Sequence, residues 1–163
     1  MSKVILKNIG TVVSGDIADP ILPGDAILIE DGKIKQVGLE GDLDAADAKT
    51  IIDCDGATVT PGLFDSHCHT VLGDYTPRQK QTGFLESEVH GGVTTFISAG
   101  EVHLAGRPKD PAGTKALAIV AAKSFANFRP GGGKVVGGSV ILEKGLTKAD
   151  FEEMAREDRK SVV

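Results

Sequence analysis

The stretch Thr60-Pro61-Gly62-Leu63-Phe64-Asp65-Ser66-His67-Cys68-His69 combines a Pro-Gly pair, a short apolar run and two histidines separated by one residue. In a β-strand, side chains two positions apart point to the same face, so the imidazoles of His67 and His69 could converge on one ion, at about 2.0–2.1 Å for zinc. Cys68 would then point the other way and is interpreted as a small packed residue. The alternative, that both histidines are ordinary polar residues near a strand end, stays open on these residues alone.

Strands and helices alternate along the chain that follows this stretch. Strands are predicted at 57–60, 93–98 and 135–142, and helices at 78–90, 114–128 and 147–156. The second helix places a largely apolar set of residues three to four positions apart, on one face: Leu117, Val120, Ala121, Ser124, Phe125 and Phe128. Repeated βα units predict a parallel sheet with right-handed crossovers. A (β/α)₈ barrel has eight such units in about 250 residues, and this chain contains three.

The first 56 residues follow a different pattern, with short strands and glycine-containing turns. Strands are predicted at 4–7, 11–14, 26–30, 33–38 and 51–53. The dipeptide Asp31-Gly32 lies between two of them and favours a two-residue type I′ hairpin. These strands predict a sandwich or a partial barrel for residues 1–56. The βα units predict either a small open α/β sheet at 57–157 or the first part of a (β/α)₈ (TIM) barrel in an incomplete chain.

The composition argues against several classes of partner. The chain has 163 residues and a net charge of −5, without a basic block, which disfavours nucleic acid and anionic membranes as main partners. The longest apolar run, 116–122, is much shorter than the roughly 18 residues of a membrane span. The two cysteines, Cys54 and Cys68, form no disulfide framework, so a reducing cytoplasm is expected.

The β-rich start, the stretch from Pro61 to His69 and Gly91-Gly92-Val93-Thr94-Thr95 together resemble the amidohydrolase superfamily. This family consists of metal-dependent hydrolases with a (β/α)₈ barrel beside a small β-sandwich. The resemblance therefore implies an α/β chain with a small β-sandwich segment at 1–56 and a partial (β/α)₈ (TIM) barrel at 57–157. Within it, the chain is similar to the enamidases, which open a six-membered cyclic enamide bearing a carboxylate, of the 1,4,5,6-tetrahydro-6-oxonicotinate type, in nicotinate degradation. The stretches that carry this similarity are 73–80, 97–100, 106–110 and 137–146.

The resemblance implies that His67 and His69 are the first two ligands of a binuclear metal site, holding zinc or zinc together with iron. Asp65 could orient an imidazole by a hydrogen bond, and a structural role at the strand end is the alternative. The family's remaining ligands come from the fourth, fifth and sixth barrel strands, and its acid/base aspartate comes from the eighth. None of these positions is present, so no catalytic residue is expected on this chain. In the complete enzyme, metal-activated hydroxide would attack the amide carbonyl.

The loops after the first two barrel strands would face the substrate, a small cyclic amide. Tyr75, Arg78, His103 and Arg107 lie in these loops and are candidate substrate-binding residues. An arginine could bind the carboxylate of such a substrate through two hydrogen bonds. The alternative is that all four are ordinary polar loop residues.

The similarity fades after Glu157. The last six residues, Asp158-Arg159-Lys160-Ser161-Val162-Val163, match what a common sequencing adapter encodes in one frame, so 158–163 is expected to be an artefactual tail of an N-terminal fragment. A polar helix end is the alternative. We expect this chain alone to be inactive and the full-length protein to be a cytoplasmic homo-oligomer, a tetramer as in the enamidases. Three other possibilities stay open: a cyclic amidohydrolase of the imidazolonepropionase, dihydroorotase or allantoinase type, a non-catalytic truncated paralogue, and a small open α/β binding domain.

Overall fold

The computed structural model describes residues 2–70, 81–99, 106–137 and 139–158. It is a mixed α/β structure with several sheets, so the predicted fold class is confirmed at this level. The chain divides into two units, Met1–Pro61 and Gly62–Val163. Three of the predicted substrate-binding residues, Tyr75, Arg78 and His103, lie outside the described residues.

The first unit is built from seven short strands among its described residues. Four of them form one sheet in the order β5-β4-β1-β6, and three form another in the order β3-β2-β7. Neighbouring strands are antiparallel except in the pairs β1–β6 and β2–β7, which are parallel. The strands are β1 (Lys3–Lys7), β2 (Thr11–Val13), β3 (Ile21–Leu22), β4 (Ala26–Glu30), β5 (Lys33–Gly38), β6 (Thr50–Asp53) and β7 (Thr58–Val59).

The β4–β5 hairpin confirms the turn predicted from Asp31-Gly32. Glu30 pairs with Lys33, which leaves two residues in the turn. Asp31 and Gly32 have φ angles of 49° and 77°, both in the left-handed region that a type I′ turn requires. An aspartate tolerates this region better than most residues, and glycine adopts it without a steric penalty.

The alternation of side chains along β4 divides the apolar residues of the first unit into two clusters. Leu28 packs on one face with Ile5 and Leu43. Ile27 points to the other face and packs with Val12 of the second sheet. Both sheets therefore contribute to one buried apolar layer.

The second unit is a parallel sheet that carries helices. Its strands lie in the order β10-β9-β8, and both strand pairs are parallel. Side chains from the sheet and from the first two helices form one buried cluster: Cys68, Leu85, Phe96, Ala121, Phe125 and Val135. The elements are β8 (Leu63–Cys68), α1 (Gln81–His90), β9 (Val93–Ser98), α2 (Pro111–Phe125), β10 (Lys134–Val136) and α3 (Lys148–Asp158).

Three details of the second unit differ from the predictions. Its first strand is β8, whereas the strand predicted at 57–60 is β7, which pairs with β2 of the first unit. The strand β10 ends at Val136 rather than at residue 142, and the next residue, Gly137, lies directly against α2: a Cβ there would be 2.6 Å from Cδ2 of Phe125. Helix α2 begins at Pro111, because the side chain of Asp110 accepts a hydrogen bond from the backbone N–H of Gly113 at 2.9 Å and caps the helix.

The buried face of α2 also differs from the predicted one. Val120, which was placed on the apolar face, is 47 % exposed. The buried residues of the helix are small apart from Phe125, and small side chains let the helix approach the sheet closely: Thr114, Ala118, Ala121, Ala122 and Phe125. Among the residues that the structure describes, no helix is both long and apolar enough to cross a membrane.

Candidate metal centre

At the carboxyl end of β8, exposed and buried residues alternate along the chain. His67 and His69 are exposed, whereas Cys68 and Thr70 are buried. This alternation is the two-residue period of an extended chain, and it places both imidazoles on one side. Their ring centroids are 5.0 Å apart and their planes meet at 81°.

Cys68 belongs to the interior of the second unit and is 2 % exposed. Burial raises the pKa of its thiol to about 11, and the carboxylates of Asp65 and Glu88 add to the effect. Its burial on the other side of the strand separates Cys68 from the histidine pair.

Two imidazoles this close fit part of a zinc site, because nitrogen ligands of zinc converge on the ion from about 2.0–2.1 Å. A catalytic zinc site has three protein ligands. Within 2–70, 81–99, 106–137 and 139–158, no group of three or more His, Cys, Asp or Glu side chains could hold a metal ion. Among the described residues, the histidine pair therefore offers two nitrogen donors for a metal ion.

Asp65 contacts the main chain of a histidine rather than a ring. Its Oδ1 accepts a hydrogen bond from the backbone N–H of His67 at 2.9 Å. Such a short-range carboxylate-to-backbone bond is a local turn that fixes the direction of the chain. The geometry shows that Asp65 holds the backbone on which the first imidazole is mounted.

Hydrogen bonds also connect the carboxyl ends of the three parallel strands. The N–H of Ala99, just after β9, donates to the carbonyl of Cys68 at 3.0 Å. The hydroxyl of Ser139, after β10, donates to the carbonyl of Ser98. Ser139 was not identified from the sequence, because a hydroxyl bonded to a distant carbonyl leaves no periodic signal.

Arg107, predicted to face the substrate, is paired with a carboxylate of the chain itself. Its Nη2 lies 2.5 Å from Oε1 of Glu143. The two residues are 36 positions apart, so no motif or helical spacing relates them, and Glu143 was not identified from the sequence. The contact with the carboxylate of a substrate stays a prediction.

A small cavity lies beside this ion pair. Its volume is about 10 Å³, which is room for about one water molecule and not for a cyclic amide. The hydroxyl of Thr114, one of the lining residues, is buried and has no hydrogen-bond partner among the residues that the structure describes. The lining residues are Arg107, Thr114, Leu117, Ala118, Ser139, Val140 and Ile141.

Comparison with known proteins gives close matches over nearly the whole chain, although no protein-family model matches it. The chain is 60 % identical to enamidase of Eubacterium barkeri over 157 residues, which is 96 % of this chain and 41 % of that protein. A solved structure of enamidase, described as a member of the amidohydrolase superfamily, matches with a TM-score of 0.86 and 61 % identity, covering 96 % of this chain and 40 % of that one.

A more distant relative is imidazolonepropionase of Bacillus cytotoxicus, which is 36 % identical over 116 residues, covering 61 % of this chain and 27 % of that protein. The chain thus spans about two fifths of the enamidase sequence it matches. Over that part, the predicted resemblance to the amidohydrolase superfamily, and to the enamidases within it, is confirmed.

Proposed function

We propose that this chain, a relative of enamidase of the amidohydrolase superfamily, supplies part of a metal-dependent hydrolase that opens the C–N bond of a cyclic amide. The observation that carries the proposal is the pair of exposed imidazoles at the carboxyl end of β8, 5.0 Å apart, in a chain with 60 % identity to enamidase. The proposed substrate is a six-membered cyclic enamide that bears a carboxylate.

In this proposal His67 and His69 hold a divalent metal ion, with zinc as the first choice for two imidazole donors. When bound, such an ion acts as a Lewis acid and lowers the pKa of a bound water. A second ion, zinc or iron, requires ligands from the rest of the protein. Asp65 fixes the backbone of His67, and Cys68, buried on the other side of the strand, stays outside the metal's coordination shell.

The finer architecture is also a proposal. Residues 1–56 would form part of a β-sandwich, which is supported by the apolar layer that both sheets of the first unit share. Residues 57–157 would form the first three units of a (β/α)₈ barrel, which is supported by the parallel order β10-β9-β8. We further propose a cytoplasmic homotetramer for the whole protein, to be checked by its mass in solution.

The decisive experiment assays the protein extended to the length of its relatives with a cyclic enamide carboxylate. We expect hydrolysis that a chelator abolishes and that zinc restores. His67→Ala and His69→Ala should each lower kcat/KM by at least about 100-fold, since each removes a metal ligand. His90→Ala, at the end of α1, is the matched control and should leave the rate unchanged. Full activity of both ligand variants would contradict the proposal, and no activity of the extended protein would favour a non-catalytic paralogue.

The 163-residue chain should bind zinc weakly and hydrolyse nothing, because its described residues offer two ligands where a catalytic site needs three. Sequencing independently prepared source DNA across the codon for Glu157 tests whether 158–163 is a tail of artefactual origin. Continuation into an apolar strand would support that proposal, and recovery of the same six residues would contradict it.

The match to imidazolonepropionase supports a second candidate of the same reaction class, with a five-membered ring as substrate. The two candidates differ in the ring that must fit between the loops. Comparison of kcat/KM for an imidazolone propionate and for a six-membered enamide carboxylate decides between them, and we expect the enamide to be preferred.

A further inference from the structure

The ion pair of Arg107 and Glu143 joins two segments that follow neighbouring strands. Nη2 and Oε1 are 2.5 Å apart, and the two side chains are only 17 % and 18 % exposed. Water and salt screen such a shielded pair less than an ion pair on the open surface. The pair can therefore hold its two segments together more firmly than surface ion pairs such as Lys148–Glu152, whose side chains are 90 % and 54 % exposed.

The segment that carries Glu143 is attached to the sheet at a second point. Ser139 donates its hydroxyl proton to the carbonyl of Ser98, the last residue of β9. The adjacent N–H of Ala99 donates to the carbonyl of Cys68, the residue between the two histidines. Hydrogen bonds thus run from the backbone of the histidine pair across the carboxyl edge of the sheet to the segment of Glu143.

The surroundings of Arg107 are packed rather than open. The cavity that it lines has a volume of about 10 Å³, which is room for about one water molecule. Thr114 and Ala118 of α2 line the cavity from one side, and Ser139 lines it from the other. These residues therefore bring α2 and the segment after β10 into close proximity.

We infer that Arg107 and Glu143 are positioning residues that hold the segment 139–143 against the carboxyl edge of the sheet. Their ion pair keeps Ser139 within reach of the Ser98 carbonyl, and through that edge it supports the backbone on which His67 and His69 are mounted. The consequence for catalysis rests on the proposed function, whereas the structural role does not depend on it.

Hydrogen–deuterium exchange of the full-length protein tests the structural role. Arg107→Gln and Glu143→Gln should each speed amide exchange in 139–143 and at the start of α2 by about tenfold, with unchanged exchange in the first unit. The double variant Arg107→Glu/Glu143→Arg should return most of the protection. Glu152→Gln, which removes a carboxylate from an exposed pair, should have no effect on these segments. Unchanged exchange in both single variants, with an intact circular dichroism spectrum, would overturn the inference.

Kinetics then separate positioning from direct binding. As positioning residues, both single variants should lower kcat to a similar extent on cyclic enamides with and without a carboxylate, and the charge-swapped variant should recover it. If Arg107 binds the substrate's carboxylate instead, Arg107→Gln would raise KM only for the carboxylated substrate and Glu143→Gln would not, which overturns the inference. If the wild-type protein hydrolyses no cyclic amide, the proposed function fails, and the exchange experiment still decides the role of the pair.

Discussion

The residues around His67 show how much of the geometry of a site can be predicted from local sequence patterns. The two-residue period of a strand was sufficient to predict from the sequence that His67 and His69 share a side and that Cys68 faces away, and the described exposures follow that pattern. The two-residue periodicity does not indicate which contact fixes the backbone of His67. The hydrogen bond from the N–H of His67 to Asp65 supplies that information, and it became visible only in three dimensions.

We predict that the acceptor oxygen of Asp65 matters more than its charge. Asp65→Asn retains an oxygen that can accept the N–H of His67, so zinc affinity measured by calorimetry should fall by less than about threefold. Asp65→Ala removes the acceptor and should weaken zinc binding by roughly tenfold, at the low end of what outer contacts of metal ligands contribute. Equal losses in the two variants would show that the negative charge, and not the bond to the backbone, is what supports the site.

At the scale of elements, the carboxylate of Asp150 connects α3 to α2 and also to Thr147 at the start of α3 itself. Asp150 Oδ1 lies 2.9 Å from Nζ of Lys115, and Oδ2 accepts hydrogen bonds from N–H and Oγ1 of Thr147 at 2.8 and 2.7 Å. The bond from Lys115, followed by those from Thr147, lowers the pKa of Asp150 from 3.8 to about 2. The start of this helix at residue 147 was predicted from the sequence, whereas the partner of Asp150 on α2 was not.

This lowered pKa predicts a specific pH dependence of stability. A group whose pKa is lower in the folded state stabilises that state above its unfolded pKa of 3.8, and the contribution is lost as the pH falls towards about 2. Wild type should therefore be more stable than Asp150→Asn at pH 5, and the difference should shrink towards pH 2. Urea unfolding followed by circular dichroism measures it. Glu152→Gln controls for the loss of a carboxylate from α3, and a constant difference between wild type and Asp150→Asn would refute the prediction.

The packing of α2 on the end of β10 gives a second prediction for elements. A Cβ at residue 137 would lie 2.6 Å from Cδ2 of Phe125 and 3.0 Å from the carbonyl oxygen of Ala121. Gly137→Ala should cost about 1–3 kcal/mol of unfolding free energy, the usual range for overpacking. Gly83→Ala places the same methyl group in open space on α1 and should gain about 0.5–1 kcal/mol. Thermal unfolding of both variants checks the opposite signs, and two losses would contradict this account.

These elements also show why some boundaries were predictable and others were not. The hairpin at Asp31-Gly32 and the capping residues of α3 depend on neighbours within a few positions, so their sequence signals are complete. The end of β10 depends on Phe125 and Ala121, and the burial of Ala118 rather than Val120 depends on how closely a helix can approach a sheet. Those are properties of tertiary packing, which periodicity alone does not record.

At the scale of the whole molecule, the second unit leaves large apolar side chains in contact with water. Leu63 and Phe64 on β8 are 58 % and 70 % exposed, and among the described strands β8 pairs with β9 alone. A parallel sheet is normally covered on both faces, and an unpaired strand that carries exposed apolar residues tends to associate with another chain. The strand that places His67 and His69 at an accessible edge is therefore also an apolar edge strand, which favours self-association of this 163-residue chain.

We predict that the 163-residue chain self-associates and that Phe64→Lys reduces this association while the secondary structure persists. The substitution puts a charge on the exposed strand, which is how natural sheets protect their edges. Ile17→Lys, at a residue that is 97 % exposed in the first unit, is the matched control and should leave association unchanged. Sedimentation velocity measures the association and circular dichroism the fold. Undiminished association of a folded Phe64→Lys variant would mean that another surface is responsible. If Phe64→Lys instead loses its secondary structure, Phe64 packs against a partner. The reason is that a lysine is destabilising at a buried position but not at a position exposed to water.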